Sequence, residues 1–180
     1  MLNGGANLRD EPVTGIDGYR VLTNRSYQPY FELSVPSNWF MEEHRLETKQ
    51  GEWISLNGPA NASKSRVTAL DIYVFEDDDT TQSVREIVEK SIIDEGIGEY
   101  QIVSRQDTNI SGVQGQEVRI TYTSTYRTTA GLVEVDVVKQ WITTMHGDYV
   151  VQLFYEAPKE DFDTYFSAYE MARQTLKFIN

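Results

Sequence analysis

Cysteine is absent from this 180-residue chain. That removes disulfides, thiol nucleophiles, zinc fingers and iron–sulfur clusters in one step. It leaves the compartment open. Histidine is nearly absent: His44 and His146 stand far apart, without H-E-x-x-H or any other histidine pair, so there is no zinc signature. Neither G-x-S-x-G nor a Walker sequence occurs. No stretch approaches the roughly 18 apolar residues that span a bilayer, and no basic-then-apolar signal is present. The start, MLNGGANLRDEP, reads as an initiator Met set on a flexible Asn/Gly segment, so any targeting segment is expected upstream of it. Bases are scarce as well: 16 Lys and Arg against 28 Asp and Glu give a net charge of −12. Non-specific nucleic-acid binding needs the opposite balance, as does electrostatic docking on an anionic membrane. A basic partner suits this charge, and solubility alone also accounts for it.

Large apolar side chains are plentiful, with 11 Tyr, 7 Phe and 3 Trp in a composition 39% apolar. We read residues 1–18, rich in glycine and turn residues, as a flexible tail or linker, and 19–180 as a single domain. Tyr19–Asn24 reads as a short edge strand. In Tyr30–Trp39, Phe31, Leu33 and Val35 alternate with Glu32 and Ser34 until Pro36 ends the strand. Trp53–Leu56 suggests another short strand, and Asn57–Ser65 a loop by composition. Arg66–Phe75 is apolar on both faces, as a central strand should be. Val84, Ile87, Val88, Ser91 and Ile92 fall at helical spacing, with Gly96 as a cap. Four strands follow: Glu99–Ile110, Gln114–Thr125, Val133–Met145 and Asp148–Ala157. A Ser111-Gly112 turn joins the first two, and a turn at Gly147 the last two. Apolar parity shifts between Val135/Val137 and Val138/Ile142, which predicts a bulge or strong twist. A final helix is expected over Pro158–Thr175, buried through Phe162, Tyr165, Phe166, Tyr169 and Leu176. Short connections favour antiparallel pairing, so the fold class is α+β: one antiparallel sheet with helices packed on it.

The nearest thing to a chemical motif is Glu76-Asp77-Asp78-Asp79, directly before the first helix. Acids there complement the helix dipole, and Ser83 with Glu86 makes an S-x-x-E capping box, with Thr80 or Thr81 as alternative caps. The rival reading is a divalent-cation (calcium or manganese) site on Asp77, Asp78 and Asp79. It does not fit an EF-hand, because the acids are adjacent and no glycine follows at the sixth position. The capping account is favoured. Glu134 and Asp136 lie at i, i+2 and read as a solvent face. Gly112–Gly115 leads into no helix, so it reads as a turn. Asn24, Asn61 and Asn109 begin N-x-S sequons. Trp141 reads as core, while Trp39 is core or interface. No catalytic residue, metal ligand or cofactor is assigned.

Two segments taken together resemble the PsbP-like domains. One is YFELSVPSNWF, an alternating strand broken by P-x-x-W. The other is YVVQLFYEAPKEDFDTYFSAYEMARQTLKFI, a strand, then A-P, then an aromatic-rich helix closing on LKF. The resemblance covers about residues 19–180 and implies an antiparallel sheet sandwiched by helices (an α/β/α sandwich). It also implies a binding or assembly module and not an enzyme. Many bacterial members are exported lipoproteins or surface proteins, so an extracellular or cell-envelope location is expected, tethered through a segment outside this sequence. The expected partner is a protein or envelope component, with no nucleic acid and no transmembrane segment. No functional residue carries over. A hydrolase, by contrast, would show two carboxyls of perturbed proton affinity facing a deep pocket.

Overall fold

Residues 13–46, 50–62, 67–77, 83–94, 97–128 and 131–179 are described by the computed structural model. The alternating segments near the start form β1 (Tyr19–Asn24) and β2 (Phe31–Pro36), paired antiparallel from Tyr19↔Pro36 to Asn24↔Phe31. Phe31, Leu33 and Val35 are buried, as alternation requires of a half-buried strand. Then follow β3 (Phe40–Arg45), β4 (Gly51–Ala60), β5 (Val67–Glu76), α1 (Val84–Asp94), β6 (Tyr100–Ile110) and β7 (Val113–Thr128). The chain ends with β8 (Gly131–His146), β9 (Tyr149–Pro158), α2 (Phe162–Tyr165), α3 (Ser167–Thr175) and β10 (Lys177–Phe178). Ser111 and Gly112 turn β6 into β7 with φ of 53° and 83°, and Gly147 turns β8 into β9 at φ 63°. These are the positive angles a two-residue hairpin demands.

Among the described residues every strand pair is antiparallel, and the strands divide into two sheets. The larger has the order β3-β4-β5-β9-β8-β7-β6, the smaller β1-β2-β10. Leu70, Ile72 and Val74 of β5 share one face with Val151, Leu153 and Tyr155 of β9. Leu22, Phe31, Leu33 and Val35 from the small sheet cover that face together with Ala168, Tyr169 and Ala172 of α3. The opposite face carries Val118, Ile120, Trp141 and Phe154 and packs against Val88 and Ile92 of α1. Tyr155 donates its hydroxyl to the Phe162 carbonyl at 2.8 Å, which ties α2 to the sheet.

The antiparallel α+β class stands, but the two layers outside the sheet differ. Helices alone were expected on both faces. On one face, helices share the layer with a three-stranded sheet. β3 was not expected: Phe40–Arg45 is largely exposed at an edge, so it carries no apolar alternation to read. β4 is longer than Trp53–Leu56, and Asn57–Ala60, read as loop, continues it beyond a register shift between Asn57 and Ala60. Gly58 is there because the Trp39 ring occupies the space of a side chain. The bulge expected in β8 does not occur, since both its ladders run without a shift. The change of parity instead marks where both faces of β8 become buried. Shifts lie in β4 and β6. Pro158 ends β9 rather than opening a helix, and the helical segment is divided at Phe166. Pro158 costs no ladder bond towards β5, whose pairing with β9 has already ended at Glu156. Of the tail 1–18, residues 1–12 lie outside the described residues. Val13 and Ile16 pack against the core, and the Gly15 carbonyl accepts from Trp39 Nε1 at 3.1 Å. Gly96 also lies outside the described residues.

A Cβ at Gly58 would lie 2.6 Å from the Trp39 ring, whereas one at Gly98 meets nothing within 4 Å. Gly58→Ala should therefore destabilise by about 1–3 kcal/mol through overpacking, while Gly98→Ala stays close to wild type. Urea unfolding midpoints check both, and equal midpoints would refute the packing account.

Candidate functional site

The acid run leads into a capped helix. The Ser83 backbone N–H donates to Glu86 Oε2 at 2.7 Å, and the Glu86 N–H donates to Ser83 Oγ at 3.3 Å. This is the reciprocal capping box, and it satisfies two donors at the helix start. The Asp77 N–H donates to the Asp148 carbonyl at 2.9 Å, which extends the ladder past β5. Asp78, Asp79, Thr80 and Thr81 lie outside the described residues. Among the described residues, no group of three or more His, Asp or Glu is arranged to hold a metal ion.

The other residues singled out by sequence are dispersed. His44 stacks on Trp53 with ring centroids 4.7 Å apart, and His146 on Phe178 at 4.3 Å. Glu134 and Asp136 are exposed on one side of β8, and Asp136 accepts from Thr123 Oγ1 at 2.8 Å. Asn24 and Asn61 are buried; Asn24 Oδ1 accepts from the Ser26 and Tyr27 amides, and its Nδ2 donates to the Tyr27 carbonyl at 3.1 Å. Asn109 Oδ1 accepts from the Gly112 N–H at 2.9 Å. Trp39 and Trp141 are both core. Gln114 and Gly115 belong to β7, so Gly112–Gly115 is turn and strand.

Sequence reasoning missed a well-connected polar cluster among the described residues. Glu117 of β7 is 7% exposed. Its carboxylate accepts from Tyr169 Oη at 2.7 Å, Gln140 Nε2 at 3.0 Å and Gln106 Nε2 at 2.7 Å, with Arg173 Nε at 3.4 Å. Four elements therefore converge on one charge: β6, β7, β8 and α3. Burial by itself would raise the Glu117 pKa. The three hydrogen bonds and the Arg173 charge outweigh it and hold the carboxyl below its usual range. Burial foremost, and then the Glu117 charge, push the Tyr169 hydroxyl far up, so it stays a donor. Gln140 passes the orientation on: with its amide nitrogen fixed by Glu117, its Oε1 accepts from Arg119 Nε at 2.6 Å. The Arg119 guanidinium lies over the rings of Phe162 and Phe166, at 4.9 and 5.3 Å from their centroids. The available signals were Glu117 and Arg119 at i, i+2 and Tyr169 and Arg173 at i, i+4. Each pair reads as an ordinary polar face until the helix is docked.

Elsewhere a carboxyl is raised. Burial, then the Glu43 charge, lift Glu52 above its usual range, opposed by Arg45. Both acids line a cleft of about 620 Å³ with Ser26, Tyr27 and His44. Proton affinity of this kind is what acid–base work uses, but the cleft is open and its imidazole is stacked on Trp53.

Exposed apolar side chains also lie on an outer strand. β6 closes the large sheet as an edge, and Tyr100, Ile102 and Val103 are 39%, 49% and 56% exposed. Beyond the Tyr100↔Tyr122 pair β6 stops, while β7 and β8 continue together from Thr123↔Asp136 to Thr128↔Gly131.

Because the folded Glu117 pKa lies below the ordinary 4.5, its contribution to stability is complete above that value and is lost as pH falls through the depressed one. Glu117→Gln should cost about 1–3 kcal/mol at pH 7. The gap to wild type should close on acidification below pH 4.5. Denaturant titrations at several pH values measure this, and a pH-independent gap would contradict it.

No family model matches the chain, and no curated protein matches it in sequence. Solved structures do. Cyanobacterial PsbP (CyanoP) from Synechocystis sp. PCC 6803 superposes with a TM-score of 0.57 at 9% identity, over 92% of this chain and 95% of its own. PA94 of Pseudomonas aeruginosa, a protein of unknown function, gives 0.56 at 13% identity, over 90% and 98%. LpqN of Mycobacterium tuberculosis, involved in cell envelope biogenesis, gives 0.53 at 11% identity, over 94% and 100%. The resemblance carried by the strand before Trp39 and by the aromatic C-terminal segment thus holds in three dimensions, and the chain has the PsbP-like fold.

Proposed function

We propose that this chain is a non-enzymatic binding or assembly module of the cell envelope, held there through a segment outside the present sequence. The observation that carries the reading is the fold shared over nearly the whole chain with LpqN, a protein of envelope biogenesis. The surface supports it. An eleven-residue edge strand with exposed Tyr100, Ile102 and Val103 offers unpaired backbone groups to an extended segment of a protein partner. Where β6 ends, a cleft of about 630 Å³ lined by Gly98, Tyr100, Thr121, Asp136 and Lys159 would receive the end of such a segment. The net charge of −12 favours a neutral or basic partner over nucleic acid. No helix among the described residues is long and apolar enough to cross a membrane.

A photo-crosslinking residue at Val103 of the full-length protein in its native host should give a discrete adduct in the envelope fraction. The same residue at Arg85 on α1 should not. A protein recovered wholly in the cytosolic fraction, without an adduct at Val103, would overturn the proposal.

A further inference from the structure

We propose that Arg119 is the anchor of a carboxylate-binding site, a property independent of the module reading above. Its guanidinium is fixed on two sides. Nε donates to Gln140 Oε1 at 2.6 Å, and the plane lies over Phe162 and Phe166. The oriented group is not consumed by an acid: among the described residues Arg119 makes no ion pair, in a chain with 28 acids to 16 bases. Among the described residues its terminal amines make no hydrogen bond, and Arg119 is half-buried, not fully enclosed. Arg173, by contrast, is occupied by Glu117 and Thr108, and Lys139 by Glu156.

Orientation is what sets this arginine apart from a solvated surface one. Glu117 holds Gln140 Nε2, which turns Gln140 Oε1 toward Arg119 Nε. The buried polar network thus ends in a pre-positioned fork. Such a fork presents parallel N–H donors matched to a planar carboxylate, and part of the ordering entropy is already met before the ligand arrives. Ser104 of β6 is the register partner of Arg119 and is exposed, so a hydroxyl-bearing residue neighbours the arginine on the adjacent strand. The aromatic pair covers the guanidinium face, so a carboxylate would approach along its edge. A single negative charge suits the site better than a phosphate dianion, because every anion approaches against a net charge of −12. The carboxylate could belong to a free organic acid or to the end of a polypeptide, and the chemistry recognised is the same.

The test is a two-dimensional NMR titration of the whole chain at pH 7 and constant ionic strength. The probes are sodium acetate, sodium benzoate, sodium chloride, and a short neutral peptide with either a free or an amidated C-terminus. Saturable shifts of the Arg119 Nε–H and the Gln140 side-chain amide with the carboxylates, absent with chloride and with the amidated peptide, are expected. Arg119→Lys retains the charge but not the fork, and should weaken binding about ten-fold. Tighter binding of the free-acid peptide than of acetate or benzoate would support the site with a polypeptide end as its ligand. Equal or weaker binding would support it with a small acid. Absence of a saturable carboxylate shift in the wild type, or an equal response to chloride, would overturn the proposal.

Discussion

From Val137 to Thr144 both faces of β8 are shut away from water. This constraint organises the molecule. A strand buried on two sides must pair all of its peptide groups within the sheet, and β8 does so through unbroken ladders to β7 and β9. Each face then needs a cover. α1 supplies one through Val88 and Ile92, and the small sheet with α2 and α3 supplies the other. The positions that must pack are therefore crowded into β5, β9 and β8, while the outer strands β3 and β6 are left largely exposed.

Two-sided burial also explains why polar groups inside the sheet are networked. Glu117 occupies an inward position, where an ionised carboxyl without partners would be costly. It is held by three hydrogen bonds and a guanidinium, two of these contacts coming from α3. The same contacts dock that helix in one register. On the opposite face, Glu156 receives the Tyr122 hydroxyl at 2.8 Å and faces Lys139 at 3.5 Å. Polar side chains thus fix relative position where apolar packing alone would tolerate sliding.

Local rules reached far along this chain. The alternation of Phe31, Leu33 and Val35, the turns at Ser111-Gly112 and Gly147, and the Ser83–Glu86 box were legible because each depends on residues within a few positions of one another. The same local reading misplaced elements where a distant neighbour overrides it. Asn57–Ala60 looks like loop because Gly58 and Pro59 break strands, yet Trp39 fills the space that the glycine leaves. The parity change in β8 resembled a bulge because a one-dimensional pattern does not distinguish a kinked strand from a straight one covered on both sides.

Function divides along the same line. Composition alone removed thiol and disulfide chemistry and argued against nucleic acid, since the absence of cysteine and a charge of −12 hold for any fold of this chain. The aromatic C-terminal segment and the strand before Trp39 indicated the fold family, because they encode packing faces. The candidate sites were decided only in three dimensions. Glu117, Gln140 and Tyr169 are separated by tens of positions in sequence, and each is unremarkable where it stands. Only the pairing of β7 with β8 and the docking of α3 bring them to one carboxylate and leave Arg119 oriented at its rim, because hydrogen bonding acts over about 3 Å of space and is indifferent to distance along the chain.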